Sequence, residues 1–309
     1  MKKFEIGLSP FITPKEYDLL FSRFAENIDY IYYSVPLGLK FQTRKKLYNG
    51  KTIEENIEYL MQVFEVISDY NIKTELCLNT RGLLDEDIYA AMLFTQDILK
   101  INPDAIVSLS EYTDSIRRYF PHAYYIYSFN NGIITSNDLV IVPDVYKEIV
   151  IVPNALRNKE LWNNIIKSSV KVRLLLNNGC SPNCLTCRRP EFCEAFFNSN
   201  LVKNGIDYVY ATQSLFPSEF KQYIEANPYI DSYKISNRTS DYNYIYNCLS
   251  GYITGTDFDG RTDSLYHWCR LGYFSPYYQN NGINLSRVYE IKKELSYPVF
   301  DSKTNREQP

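Results

Sequence analysis

Four of the seven cysteines in this 309-residue chain fall within fourteen residues. They follow an apolar run and a turn, Val172-Arg-Leu-Leu-Leu-Asn-Asn-Gly-Cys180, which continues as Ser-Pro-Asn-Cys184-Leu-Thr-Cys187 and reaches Cys193 five residues on. Buried structural cysteines are normally dispersed singly through a core. Thiolates crowded onto one turn after a strand instead suit a soft metal centre, zinc or iron–sulfur. A second group, Lys234-Ile-Ser-Asn-Arg238, sets two cations four residues apart at a strand end. An Arg fork beside a Lys is suited to a carboxylate or phosphate, so Lys234 and Arg238 are candidates for substrate binding. The plainer reading is a solvated strand end with two unrelated charges.

Several readings of the cysteines stay open on spacing alone. A C-x3-C-x2-C run supplies three iron ligands from one loop, and Cys193 a fourth. Structural zinc commonly uses two separated C-x2-C knuckles, and only Cys184 and Cys187 form one. The same spacing occurs in radical S-adenosylmethionine enzymes, but there it follows the first strand and carries an aromatic before the last cysteine, where this chain has Thr186. Reduced or disulfide-paired thiols on a surface hairpin are the bland reading. Cys77, inside Leu76-Cys-Leu78, and Cys248, between Ile245 and Leu249, read as core thiols, whereas Cys269 beside His267 could replace one of the four ligands. His122 reads as a loop residue. No Ser/His/Asp set and no His-Glu-x-x-His is present, so a hydrolytic mechanism has no residues behind it.

The elements that must position these groups are strands alternating with helices. Short apolar runs at 4–8, 30–35, 73–78, 105–109, 124–129, 149–152, 172–176 and 231–238 read as strands. Helices are expected over 52–70, 85–99, 112–120, 159–168, 217–226, with Ser218 as a cap, and 241–252. A further helix follows Thr13-Pro-Lys-Glu16, which is a capping box with proline at the first helical position. Residues 139–142 fit either a short strand or a loop. The rhythm predicts an α/β fold, a (β/α)8 TIM-like barrel over 1–255. The cysteine loop would be inserted after strand 7 at about 177–215, and an irregular C-terminal extension over 256–309 would pack on the barrel. An open doubly wound sheet shares the βαβ unit, but no Gly-x-Gly-x-x-Gly or Walker loop follows any strand.

Composition sets outer limits. A hydrophobic content of 45% supports a full core, and a net charge of −3 disfavours non-specific nucleic-acid binding. No apolar stretch reaches membrane-spanning length, and the N-terminus lacks the apolar core of a signal peptide, so a cytoplasmic protein with reduced cysteines is expected.

The turn Asn177-Asn-Gly-Cys180-Ser-Pro-Asn-Cys184, followed by Phe216-Pro-Ser-Glu-Phe220 and then Tyr233-Lys-Ile-Ser-Asn-Arg238, resembles the collagenase-like peptidase family numbered U thirty-two over roughly residues 100–255. The resemblance implies a TIM-like barrel. It also implies a 4Fe–4S cluster, since several relatives hold one on four cysteines and take part in oxygen-independent hydroxylation of tRNA bases or a quinone precursor. Cys180 and Cys184 match the family's cluster cysteines, and Lys234 and Arg238 its Lys-x-x-x-Arg element. Asn237 stands where the family has glycine, and Cys187-Arg-Arg-Pro-Glu-Phe-Cys193 replaces its usual Arg and aromatic segment. The expectation is an iron–sulfur enzyme with Cys180, Cys184, Cys187 and Cys193 as ligands. It would carry out redox, hydroxylation or group-transfer chemistry on a small anionic molecule or a tRNA-type modified nucleobase, with an electron donor. A zinc-stapled binding protein and a peptidase are the competing expectations.

Overall fold

Along each strand, successive side chains point to opposite faces, and the burial pattern follows that alternation. Phe4, Ile6, Ile31, Leu76, Ile106, Ile149, Leu174 and Tyr233 join the large core shared with the surrounding helices. Tyr30, Tyr32, Cys77, Ala105, Val107, Ile126, Val150 and Leu175 form a second cluster inside the sheet. A sheet with two buried faces must be covered outside and closed inside.

The computed structural model describes residues 3–37, 52–129, 142–168, 170–177, 205–225, 227–236, 241–257 and 284–295. Its strands are β1 (Phe4–Gly7), β2 (Ile28–Tyr33), β3 (Lys73–Leu78), β4 (Ala105–Ser108), β5 (Tyr124–Tyr127), β6 (Glu148–Ile151), β7 (Lys171–Leu175) and β8 (Ser232–Lys234). All neighbours are parallel, and β8 pairs with β1 through Phe4↔Tyr233 and Glu5↔Lys234 to close the ring. The fold is a closed eight-stranded TIM-like barrel, as the alternating pattern predicts.

Local signals act where expected. Thr13 accepts from Glu16 N and Glu16 Oε2 accepts from Thr13 N at 2.7 Å, starting α1 (Pro14–Phe24). Thr52 and Glu55 repeat the arrangement for α2 (Ile53–Asp69). The helix over Asp85–Leu93 continues as a π segment, Phe94–Ile98. There the buried Thr95 hydroxyl donates to Ala91 O at 3.1 Å and Met92 O at 2.9 Å, widening the helical ladder. Gly7 has a steric role. A Cβ there would meet the Tyr32 ring at 2.5 Å, so the absent side chain lets that ring lie across the barrel interior.

Three details differ from the sequence reading. Phe216, not Ser218, precedes the helix at Pro217–Glu219, because Ser218 instead gives its N–H and hydroxyl to Asp257 at 2.8 and 2.6 Å. The segment after the cysteines contains a helix at Ile206–Gln213, entered through Gly205 at φ +78°. The tail is not irregular throughout, since Leu285–Glu294 is helical, capped by Asn284 accepting from Arg287 N. Its polar face hides the helical period, with only Val288, Ile291 and Lys292 buried among its described side chains. Residues 139–141 lie outside the described residues, and Val142 belongs to no strand. Among the described residues no helix is long and apolar enough to cross a membrane.

Candidate functional site

Charged residues interrupt the apolar strands at positions of inward parity. Glu5 sits between Phe4 and Ile6, Glu75 between Thr74 and Leu76, and Arg173 between Val172 and Leu174, while Glu148 opens β6 and Lys234 ends β8. Register then gathers them, with Glu5 beside Lys234, Glu148 beside Lys171 and Arg173 beside Ser232. All five are 8% exposed or less.

Arg173 is the hub. Its Nε lies 2.9 Å from Glu148 Oε1 and its Nη2 3.2 Å from Glu148 Oε2, a two-pronged contact. Nη1 donates to Glu75 Oε2, and Nε also pairs with Glu5 Oε1. Ser232 Oγ lies 2.8 Å from Glu148 Oε1 and 3.2 Å from Glu5 Oε1. Lys234 Nζ donates to Glu75 Oε1 at 2.5 Å and stands 3.9 Å from the centre of the Tyr32 ring, a cation–π contact. Tyr32 is fixed in turn by donating from its hydroxyl to Ile235 O at 2.8 Å.

Each group's protonation follows from this packing. Burial alone would push the Glu75 carboxyl up, but Arg173 and Lys234 outweigh it and hold Glu75 below the usual range. Burial also works against the Lys234 charge, yet Glu75, Cys77 and Glu5 raise its pKa above the ordinary lysine value. Arg173 is likewise raised by its three carboxylates against burial. Lys234 is therefore a permanent cation whose side chain keeps 10% exposure.

Above the ionic layer, the C-terminal end of β7 is pinned before the cysteine loop begins. Leu176 N donates to Lys234 O at 2.9 Å. Asn177 Oδ1 accepts from Ser236 N at 2.7 Å, and its Nδ2 donates to the Tyr244 hydroxyl at 3.0 Å. Asn177 also bridges antiparallel to Ser214, and Leu215 N donates to Leu176 O at 2.9 Å. The chain thus leaves for the cysteines beside the place to which it returns. The tail helix locks this return, with Lys292 Nζ donating to Ser214 O at 2.5 Å and to Glu219 Oε2 at 2.7 Å. Replacing Lys292 with alanine is expected to cost about 1–3 kcal/mol in urea unfolding, the loss of charge-assisted bonds to Ser214 O and to Glu219, which is left with the Phe216 N–H.

The expected site residues divide as follows. Lys234 is described, and it is committed to Glu75 and Tyr32 inside the barrel rather than standing on a solvated strand end. Cys180, Cys184, Cys187, Cys193, Asn237, Arg238, His267 and Cys269 lie outside the described residues. Cys77 and Cys248 are buried thiols, Cys77 in the barrel interior and Cys248 on the buried face of the helix at Tyr242–Thr254. His122 is exposed in a turn. Among the described residues no group of three or more His, Cys, Asp or Glu could hold a metal ion. The sequence reading passed over Glu5, Glu75, Glu148 and Arg173. Their signal was a charge at an inward position of an otherwise apolar strand.

No protein-family model matches the chain, and no curated protein matches it in sequence. Among solved structures it is similar to the U32 peptidase Mk0906, at 12% identity and a TM-score of 0.46, over 76% of this chain and 91% of that one. A U32 peptidase is thus among its structural neighbours. A glycerophosphodiester phosphodiesterase from Agrobacterium tumefaciens matches at 12% identity and a TM-score of 0.36, over 58% of this chain and 87% of the other. A mandelate racemase/muconate lactonizing enzyme from Roseiflexus sp. matches at 12% and 0.35, over 56% and 47%. Likenesses of this size transfer no activity to this chain.

Proposed function

We propose that this chain is an iron–sulfur enzyme of the U32-like kind, with a 4Fe–4S cluster on Cys180, Cys184, Cys187 and Cys193 at the strand-end mouth of the barrel. The observation that carries the reading is the donor set: four soft thiols within fourteen residues, starting three residues after the pinned Asn177. Four thiolates fit such a cluster in number and softness. With all four thiolates bound, the cluster would supply electron transfer. Active sites of barrels of this type lie at the C-terminal ends of the strands.

The protein's own groups prepare that mouth. Glu75 and Tyr32 keep Lys234 charged and fixed in direction, so it presents a preorganised cation to an anionic substrate, with Arg238 as the second. The substrate is a small anionic molecule or a modified nucleobase of tRNA, and the reaction is redox, oxygen-independent hydroxylation or group transfer fed by an electron donor.

The test is purification without oxygen, followed by iron, sulfide and zinc analysis and an absorption spectrum. A brown protein holding iron and sulfide in equal amounts, both lost in Cys180→Ala, is the expected result. A colourless protein loaded with zinc overturns the reading in favour of a structural metal, and peptide cleavage that survives Cys180→Ala overturns it in favour of a peptidase.

A further inference from the structure

Among the described residues the ionic layer sets three carboxyl groups, Glu5, Glu75 and Glu148, against two cations, Arg173 and Lys234. If every member were ionised, the barrel would enclose one uncompensated negative charge. A buried unpaired charge is costly enough that a group takes a proton instead.

The geometry shows which group that is. Glu75 has a cation on each oxygen, Lys234 on Oε1 and Arg173 on Oε2. Glu148 meets Arg173 with both oxygens and Ser232 with one. Glu5 meets Arg173 and Ser232 through Oε1 alone. Its Oε2 is buried, accepts no hydrogen bond, and has Lys234 Nζ 3.8 Å away. The groups around Glu5 are Arg173 from β7, Lys234 and Ser232 from β8, Glu75 from β3 and Glu148 from β6. Tyr30 and Tyr32 from β2, Cys77 from β3 and Tyr124 from β5 complete the barrel lining.

We propose that Glu5 is a neutral carboxylic acid in the folded barrel and the proton store behind Lys234, so that an anion held by Lys234 is bound together with that proton. The coupling rests on Lys234 meeting an anion, as argued above, whereas the proton on Glu5 does not. Burial pushes the Glu5 carboxyl well above its usual range, although Arg173 pulls the other way. With a raised folded value, the stability Glu5 contributes is complete below the ordinary glutamate pKa and is lost as pH rises through the folded one. Anion binding follows the same sign. Once Glu5 ionises, the interior carries an extra negative charge, and each bound anion must bring a proton with it.

Two measurements test this. Infrared spectra of protein labelled with 13C-glutamate are expected to show the carbonyl stretch of a protonated carboxyl at neutral pH, and Glu5→Gln to lack it. No such band in the unaltered protein overturns the proposal, a result that does not depend on the variant folding, as does a band that Glu5→Gln retains. Sulfate, which does not titrate in this range, probes the coupling. Its affinity is expected to fall by up to about tenfold per pH unit above the Glu5 pKa in the parent, and to stay level in Glu5→Gln. A level sulfate affinity in the parent, with the band present, overturns the coupling alone. No sulfate binding at any pH, with the band present, overturns the anion role of Lys234 while the proton on Glu5 stands.

Discussion

Replacing Arg173 with methionine is expected to destabilise the protein by about 3–5 kcal/mol, the usual cost of removing one partner from a buried ion pair. The arginine is 0% exposed and serves Glu5, Glu75 and Glu148 together. Methionine fills much of the same volume, so the loss is mainly electrostatic. With only Lys234 left to offset Glu5, Glu75 and Glu148, protonation relieves their mutual repulsion, so the variant's loss is expected to be smallest at acid pH and to grow toward neutrality. Urea unfolding at several pH values measures both effects. Adding Glu148→Gln should recover part of the loss, because it removes an orphaned charge. A single variant as stable as the parent at neutral pH would contradict the assignment of Arg173 as the hub.

Lys234→Met is expected to cost about 1.5–3 kcal/mol, the range for a hydrogen bond to a charged group. The loss is smaller than for Arg173 because Glu75 keeps its contact with Arg173, and a methionine stem can still lie against the Tyr32 ring. Sulfate binding at the mouth should disappear. Lys234→Arg separates the two effects. It preserves the charge and should hold stability within about 1–2 kcal/mol, but its planar fork cannot place a point charge both on Glu75 Oε1 and over Tyr32. Anion affinity should therefore fall even in that folded variant. Equal sulfate affinity in all three proteins would remove Lys234 from the binding site.

Most of the scaffold was legible because its signals are local. Apolar runs and the capping box at Thr13 mark the βα rhythm, and the helices expected from 52 and 241 start under side-chain caps at Thr52 and Asp241. Most strand ends moved by one or two residues, β2 beginning at Ile28 rather than at Tyr30, but the strand expected over 231–238 ends at Lys234. Two helices were missed for different reasons. Ile206–Gln213 starts after a glycine with positive φ, and half of Leu285–Glu294 is charged. The latter is held by long-range contacts, among them Lys292 on Ser214 and Arg157 Nε on Leu295 O at 3.3 Å. The interior charges were legible in principle. Glu5, Glu75 and Arg173 hold inward positions in alternating strands, but their mutual pairing depends on which strands face each other across the barrel, and no single segment states that.

That pairing unites the first and last strands of the barrel. Glu5 belongs to the first strand, and its neighbours Ser232 and Lys234 to the last. A nascent chain emerging from the ribosome therefore displays its three acids long before the final lysine exists. Half-barrels made on the way must keep those carboxylates hydrated, which opposes early collapse of the inner cavity. Productive closure waits for the eighth strand, a late and non-local event that makes folding slow.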